Sequence, residues 1–162
     1  MGKRSTKENK NIYQLSREAA GLSREAAESV LEFISSDRIE RIESGRSMPH
    51  PDEVLAMEQG YRNPELTNYY CTSECPIGKK YVPRAELKPL PQLTVELIAA
   101  LHDMQDEERR LIAIARDGRV NAFEREQFDT ILAKLATLDR TISEMRIWIE
   151  HALSSGKMDK AE

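Results

Sequence analysis

The chain is short of several things that would decide its class at once. It has 2 cysteines in 162 residues, too few for a secreted disulfide scaffold. Aromatic residues make up 6% of it, so its core is modest. The longest uninterrupted apolar runs, such as Leu97–Leu101 and Leu111–Ala115, fall far short of the ~20 residues a membrane span needs. No apolar stretch follows the basic start, so no signal peptide and no membrane association are expected, and a bacterial-type cytoplasmic protein is the expectation. One-signed charge is lacking too. The net charge is −4, and residues 1–62 carry 10 basic against 11 acidic side chains, 63–92 carry 4 against 3, and 93–162 carry 10 against 14. No block is basic enough to announce a nucleic-acid partner by charge alone.

What is present is charge and helical periodicity. Charged residues make up 32% of the chain and apolar ones 40%, the composition of solvated helices around a limited core. Residues 1–10, with Lys3, Arg4, Lys7 and Lys10, read as a disordered basic arm. Helical spacing starts at Ile12 and continues through Leu15 and Ala19, and Gly21 supplies a left-handed stop. Ser23 caps a second helix running to about Leu31. Ser35 or Ser36 caps a third, which carries Arg38, Ile39, Arg41 and Ile42 and ends at Gly45. A fourth follows Pro51, with Asp52 and Glu53 in its first turn and Val54, Leu55 and Met57 behind.

From residue 60 to 92 the texture changes. Five prolines (Pro64, Pro76, Pro83, Pro89 and Pro91) and four tyrosines (Tyr61, Tyr69, Tyr70 and Tyr81) predict a packed irregular connector over 63–91. A helix is expected from about Gln92 to Arg116, broken at Asp117-Gly118. Asn121 with Glu124 forms a capping box for a long final helix. There Phe128, Ile131, Leu135, Leu138, Ile142, Met145, Ile149 and Ala152 make a heptad seam of the coiled-coil type, serving either the hairpin's interior or a second copy. The expected fold is all-α: a small helical bundle (11–62), the connector, a C-terminal helical hairpin (92–155) as a possible dimerisation region, and a polar tail (156–162).

Four short helices in about 60 residues with tight turns suggest a DNA-binding bundle. At Ala19-Ala20-Gly21-Leu22-Ser23 and Ile39-Glu40-Arg41-Ile42-Glu43-Ser44-Gly45-Arg46, with Pro49 soon after, residues 12–61 resemble the Cro/repressor-type (Xre-like) helix-turn-helix family. The resemblance implies a third helix that enters the DNA major groove, with Ser35, Ser36, Asp37 and Arg38 at its groove-facing start and Arg41 one turn on. It implies phosphate contacts from Arg24 and Arg46, and a structural salt bridge between Arg17 and Glu43. The implied partners are double-stranded DNA and a second copy of the chain, and the implied activity is transcription regulation by operator occupancy.

The chain departs from the family pattern in three places. The span from Gly21 to Ile39 is one residue longer, with the extra residue in the turn Glu32-Phe33-Ile34, where the family often has glycine. Glu28 stands where a small alanine is usual, and the third helix carries acidic residues. A rival reading is therefore a protein-interaction adaptor or antitoxin-like module on the same scaffold. A positive ridge of Arg24, Arg38, Arg41 and Arg46 would favour DNA, and an acidic face the adaptor.

Other constellations are weaker. Cys71 and Cys75, spaced C-x3-C, provide two of the four ligands a zinc site wants. Idle thiols are the simpler reading, and a redox or metal sensor is a third possibility. Residues 117–124 resemble half an EF-hand loop, but Ala113 and Ala115 stand where the first calcium ligands should be. His102 with Asp106, and Glu150 with His151, match no metal-ligand set. No catalytic constellation, cofactor motif or metal site is found, so a non-enzyme is expected.

Overall fold

The computed structural model describes residues 9–159, and the expectation for residues 1–8 lies outside them. The described residues are all-helical and contain no strand. The elements are α1 (Ile12–Ala19), α2 (Arg24–Leu31), α3 (Ser36–Glu43), α4 (Pro51–Tyr61), α5 (Leu66–Ser73), α6 (Gly78–Tyr81), α7 (Leu90–Ala115) and α8 (Arg125–Ser154). They fall into two compact units. One holds residues 9–82 together with 150–159, and the other holds Pro83–Ile149.

In the first unit local signals set the helix ends. The Asn11 side chain accepts from the Gln14 amide, Ser23 from Ala26 and Ser35 from Arg38, so each of the first three helices has a side-chain cap. Gly21 and Gly45 both stand at φ +74°, where a β-carbon is disfavoured, and close α1 and α3. The core joins Tyr13, Ala27, Leu31, Ile34, Ile39, Ile42, Val54, Met57, Tyr61 and Leu66.

The inward face of α1 differs from the expected Ile12–Leu15–Ala19 line. Tyr13, Gln14, Ser16 and Arg17 are buried, while Leu15 and Ala19 are exposed. A polar face can be buried here because its groups find partners. The Arg17 Nε donates to Glu43 Oε1 at 2.5 Å, its Nη2 to Glu43 Oε2 at 3.0 Å, and its Nη1 to the Leu22 carbonyl at 2.6 Å. The Arg17–Glu43 bridge is therefore present, buried at both ends.

The expected irregular connector contains two helices instead, α5 and α6. Its prolines delimit helices: Pro64 precedes α5, Pro76 separates α5 from α6, and Pro83 follows α6. The segment is packed. Leu66 is fully buried in the core, the Tyr69 ring meets Tyr13 edge-on at 6.3 Å, and the Tyr13 hydroxyl donates to Glu74 at 2.8 Å. A β-carbon at Gly78 would collide with the Cys71 carbonyl, so the start of α6 lies directly on the backbone of α5.

The second unit is a long helical hairpin. Asp117 and Gly118 (φ +71°) form the turn, and the Asp117 carboxylate accepts from the Arg119 amide at 3.0 Å. Just ahead of α8, Asn121 Oδ1 accepts from the Glu124 amide at 3.1 Å and Glu124 Oε2 from the Asn121 amide at 3.0 Å, a reciprocal capping box. Part-buried ion pairs tie the two arms of the hairpin together. Lys134 reaches Glu107 at 2.6 Å, and Lys88 bridges Glu96 at 2.8 Å and Glu144 at 2.9 Å. The α7 residues facing inward recur at sevens: Leu93, Ala100, Glu107 and Ile114.

The seam read along α8 divides. Ile131 and Ala152 are buried, Phe128, Leu138, Met145 and Ile149 are half-buried, and Leu135 and Ile142 are exposed.

Candidate nucleic-acid interface

The segment from Ser23 to Arg46 holds every residue proposed to meet DNA. Helix α2 begins at Arg24 and ends at Leu31. The extra turn residue takes an unusual form. Glu32 stands at φ 60° and ψ −52°, and the Phe33 amide donates to the Leu31 carbonyl at 2.7 Å. This is a γ-turn of the rare positive-φ kind, strained for a residue with a β-carbon. It leaves Phe33 exposed at the tip and Ile34 buried beneath α3.

Helix α3 then presents Asp37 and Arg41 outward, with Glu40 beside them, while Ile39, Ile42 and Glu43 face the core. Ser35 caps the helix, and the Ser36 amide donates to Glu28 Oε2 at 3.2 Å. Glu28, in the place where a small residue is usual, thus supplies a second acceptor to the α3 amino end.

The arginines have distinct situations. Arg38 is held from several directions. Its Nε and Nη2 fork onto Glu53 at 2.7 and 2.6 Å, its Nη1 meets the Ser47 hydroxyl at 2.5 Å, and its Nη2 also reaches the Met48 carbonyl at 2.9 Å. Burial pushes the Glu53 carboxyl upward, but Arg38 and the His50 amide outweigh it and hold the group below the usual carboxylate range. The hydrogen bond to Glu53 in turn raises Arg38. Arg24 Nε donates to Glu43 Oε2 at 2.8 Å, sharing that carboxylate with Arg17. Arg46 pairs with Glu40 and donates to the Ser44 hydroxyl at 2.9 Å. Arg41 is exposed, and among the described residues it has no carboxylate partner; its Nε donates to the Asp37 carbonyl at 3.4 Å.

The proposed residues lie on α2, on α3 and in the turns beside them, and three of the four arginines spend their charge on Glu43, Glu53 and Glu40. Sequence reading missed the Glu53 role. Glu53 is the third residue of α4 and accepts from the His50 amide at 2.7 Å, so a signal was there: a carboxylate three residues after a helix start reaches back to cap it.

Cys71 and Cys75 are free thiols, both partly buried. Burial, and then the neighbouring Cys75, push the Cys71 thiol up, which disfavours the reactive thiolate. The Gly78 amide donates to Cys75 Sγ at 3.4 Å. Among the described residues no group of three or more His, Cys, Asp or Glu side chains is placed to hold a metal ion, and no helix is long and apolar enough to cross a membrane.

Comparison with known proteins gives one match. Residues 14–66 fit the family described as a helix-turn-helix domain. No curated protein and no solved structure matches the chain. The matched span runs from within α1 to Leu66, the α5 residue that completes the core. Residues 14–66 are thus similar to a helix-turn-helix domain, in keeping with the resemblance that the residues of α1 to α3 suggest.

Proposed function

We propose that the chain is a sequence-specific transcriptional regulator of the Xre-like type that acts in the cytoplasm by occupying an operator, without catalysis. The observation that carries this reading is the helix-turn-helix match over residues 14–66, with Arg41 turned outward on α3 and uncommitted to a carboxylate among the described residues. In the proposed complex α3 enters the major groove. Arg41 forks onto the two acceptors of a guanine, and Ser35, Ser36 and Asp37 line the base edges. Arg24 and Arg46 lie toward phosphate, and each trades part of its carboxylate pairing for it. Arg38 meets DNA only by leaving Glu53, so its first role is to hold the α3–α4 connection in place. Two copies read two half-sites about one DNA turn apart.

The test is selection of bound genomic fragments with the purified chain, followed by affinity measurement on the selected site. Arg41→Ala is expected to weaken that site about 10-fold or more, the loss of one bidentate base contact, with the helical signal intact. Unchanged affinity removes Arg41 as a reader.

A second reading has an observation of its own. Arg24, Arg38 and Arg46 are each engaged by a glutamate, so the outward face of α3 carries little net positive charge. That favours the adaptor or antitoxin-like module, in which the helix-turn-helix scaffold meets a protein. Failure to enrich any DNA above background at low salt, together with recovery of a stoichiometric protein partner, would select it.

A further inference from the structure

The chain's 2 cysteines stand one helical turn apart, Cys71 in α5 and Cys75 just past its cap residue Glu74. Both thiols are free and partly buried. A helical path sets α-carbons four residues apart at about 6 Å, inside the ~4.4–6.8 Å that a disulfide spans. A regular helix fixes the direction of both side chains, but α5 loosens where Cys75 stands. The Glu74 and Cys75 amides both donate to the Tyr70 carbonyl at 2.9 Å, and Glu74 departs from helical angles at φ −121° and ψ −41°. Gly78 lies against both members of the pair. Its amide donates to Cys75 Sγ at 3.4 Å, and a β-carbon on it would fall 2.7 Å from Cys71 Cα. Cys75 also acts on Cys71 through space, as its part in raising the Cys71 thiol shows. Between them, the Glu74 carboxylate accepts from the hydroxyl of Tyr13, the core tyrosine of α1, at 2.8 Å.

We propose that Cys71 and Cys75 are a reversible dithiol–disulfide pair, oxidised by a low-molecular-weight disulfide and coupled through Glu74 to the packing of α1. The inference goes beyond the regulator reading and does not rest on DNA binding. Cys75 takes the first step, because the Gly78 amide points a donor at its sulfur and the exposed Pro76 and Ile77 leave the chain beside it open to solvent. Its thiolate attacks one sulfur of the small disulfide, whose S–S bond breaks, and one small thiolate leaves. Cys75 then carries no charge, so the repulsion that helped Cys71 keep its proton is gone. The Cys71 thiolate attacks the Cys75 sulfur, closes the internal bond and expels the second small thiolate. The two protons end on the two released thiols, and the two electrons taken from the pair reduce the small disulfide. Closing the bond draws residue 75 toward Cys71 and turns Glu74 away from Tyr13, so the bond is made against the fold. A disulfide of that kind is readily reduced again, which suits a switch and not a structural bond.

The test incubates the full reduced chain with excess glutathione disulfide at neutral pH, traps remaining thiols by alkylation and weighs the product by mass spectrometry. The expected product is a single chain, two hydrogens lighter, with neither cysteine alkylated and with both thiols restored by dithiothreitol. Cys71→Ser is expected to stop at one mixed disulfide on Cys75, and Cys75→Ser to react about 10-fold more slowly. The oxidised wild type is expected to melt below the reduced one, and Tyr13→Phe, which lacks the hydroxyl, to lose most of that difference. Two thiols that stay alkylatable in the folded chain, a stable adduct on each cysteine, or a disulfide between two chains overturns the pair. An oxidised chain with an unchanged or higher midpoint overturns the coupling to α1. The wild type alone supplies these readings, so a serine variant that loses its helical signal does not shelter the proposal. Absence of DNA binding removes the regulator reading and leaves each of these outcomes as it stands.

Discussion

Arg38 and Glu53 form a two-bond fork, Nε to Oε1 at 2.7 Å and Nη2 to Oε2 at 2.6 Å, that ties the start of α3 to the first turn of α4. The same guanidinium holds Ser47 and Met48 between them, and the same carboxylate caps α4 through the His50 amide. One pair therefore fixes both the tilt of α3 and the path of the chain that leaves it.

Arg38→Ala is expected to destabilise the chain by about 2 kcal/mol, because it strands a mostly buried carboxylate and releases the connector. Glu53 lies lower in the folded chain than in the unfolded one, so the folded state binds fewer protons. The stability it contributes is present above the ordinary glutamate range and is lost as pH falls below it. Urea unfolding at pH 7 and pH 3 checks this: the gap between wild type and Glu53→Gln should narrow in acid.

Glu32→Gly is expected to stabilise the fold by about 1 kcal/mol, since glycine takes the γ-turn angles without a β-carbon penalty that exceeds its own entropic cost. Thermal unfolding checks it. A lower midpoint would mean that the Glu32 side chain contributes more than its backbone costs.

Glu58→Gln is expected to raise stability at neutral pH. Burial pushes the Glu58 carboxyl up, and the nearby Glu150 adds to it, against the hydrogen bond from the Thr67 amide. The folded state then holds a proton that the unfolded state has already released, so stability declines as pH rises from the ordinary glutamate value through the raised one. Glutamine keeps an acceptor for the Thr67 amide, which reaches Glu58 Oε2 at 3.0 Å, and removes the titration. Denaturant midpoints at pH 4 and pH 7 should show the gain at pH 7 alone.

Tyr61→Phe is expected to be neutral or mildly stabilising. The Tyr61 hydroxyl is buried with no hydrogen-bond partner among the described residues, and burial, with Glu43 adding to it, raises the phenol. Removing an unsatisfied hydroxyl while keeping the ring leaves the packing and drops the desolvation cost. Thermal melts of the two proteins decide it.

The first four helices were legible in the chain because their signals are local: Ser23 and Ser35 at the starts, Gly21 and Gly45 at the ends. Helices α5 and α6 were not, because the density of prolines reads as breakage when it in fact marks borders. The buried side of α1 escaped for a different reason. Arg17 goes inward because Glu43 waits 26 residues away; apolar periodicity carries no sign of that pairing, and only the family resemblance pointed to it. The candidate interface divides the same way. Which residues sit on α3 was readable, but Glu43, Glu53 and Glu40 claim Arg24, Arg38 and Arg46 through the tertiary fold. On α8, apolar spacing alone merged an interior line with an outward one, because both recur at threes and fours.

The first compact unit is discontinuous: the chain leaves it at Val82 and re-enters at Glu150, and Ala152 is fully buried on return. During translation the amino-terminal helices emerge well before the turn of α8 that belongs with them. Until the ribosome has delivered residues 150–159, the nascent unit lacks Ala152 and its neighbours. A fragment cut at residue 82 should therefore be a poorer melter than the same helices in the whole chain, and it would be a poor stand-in for testing the proposed DNA binding.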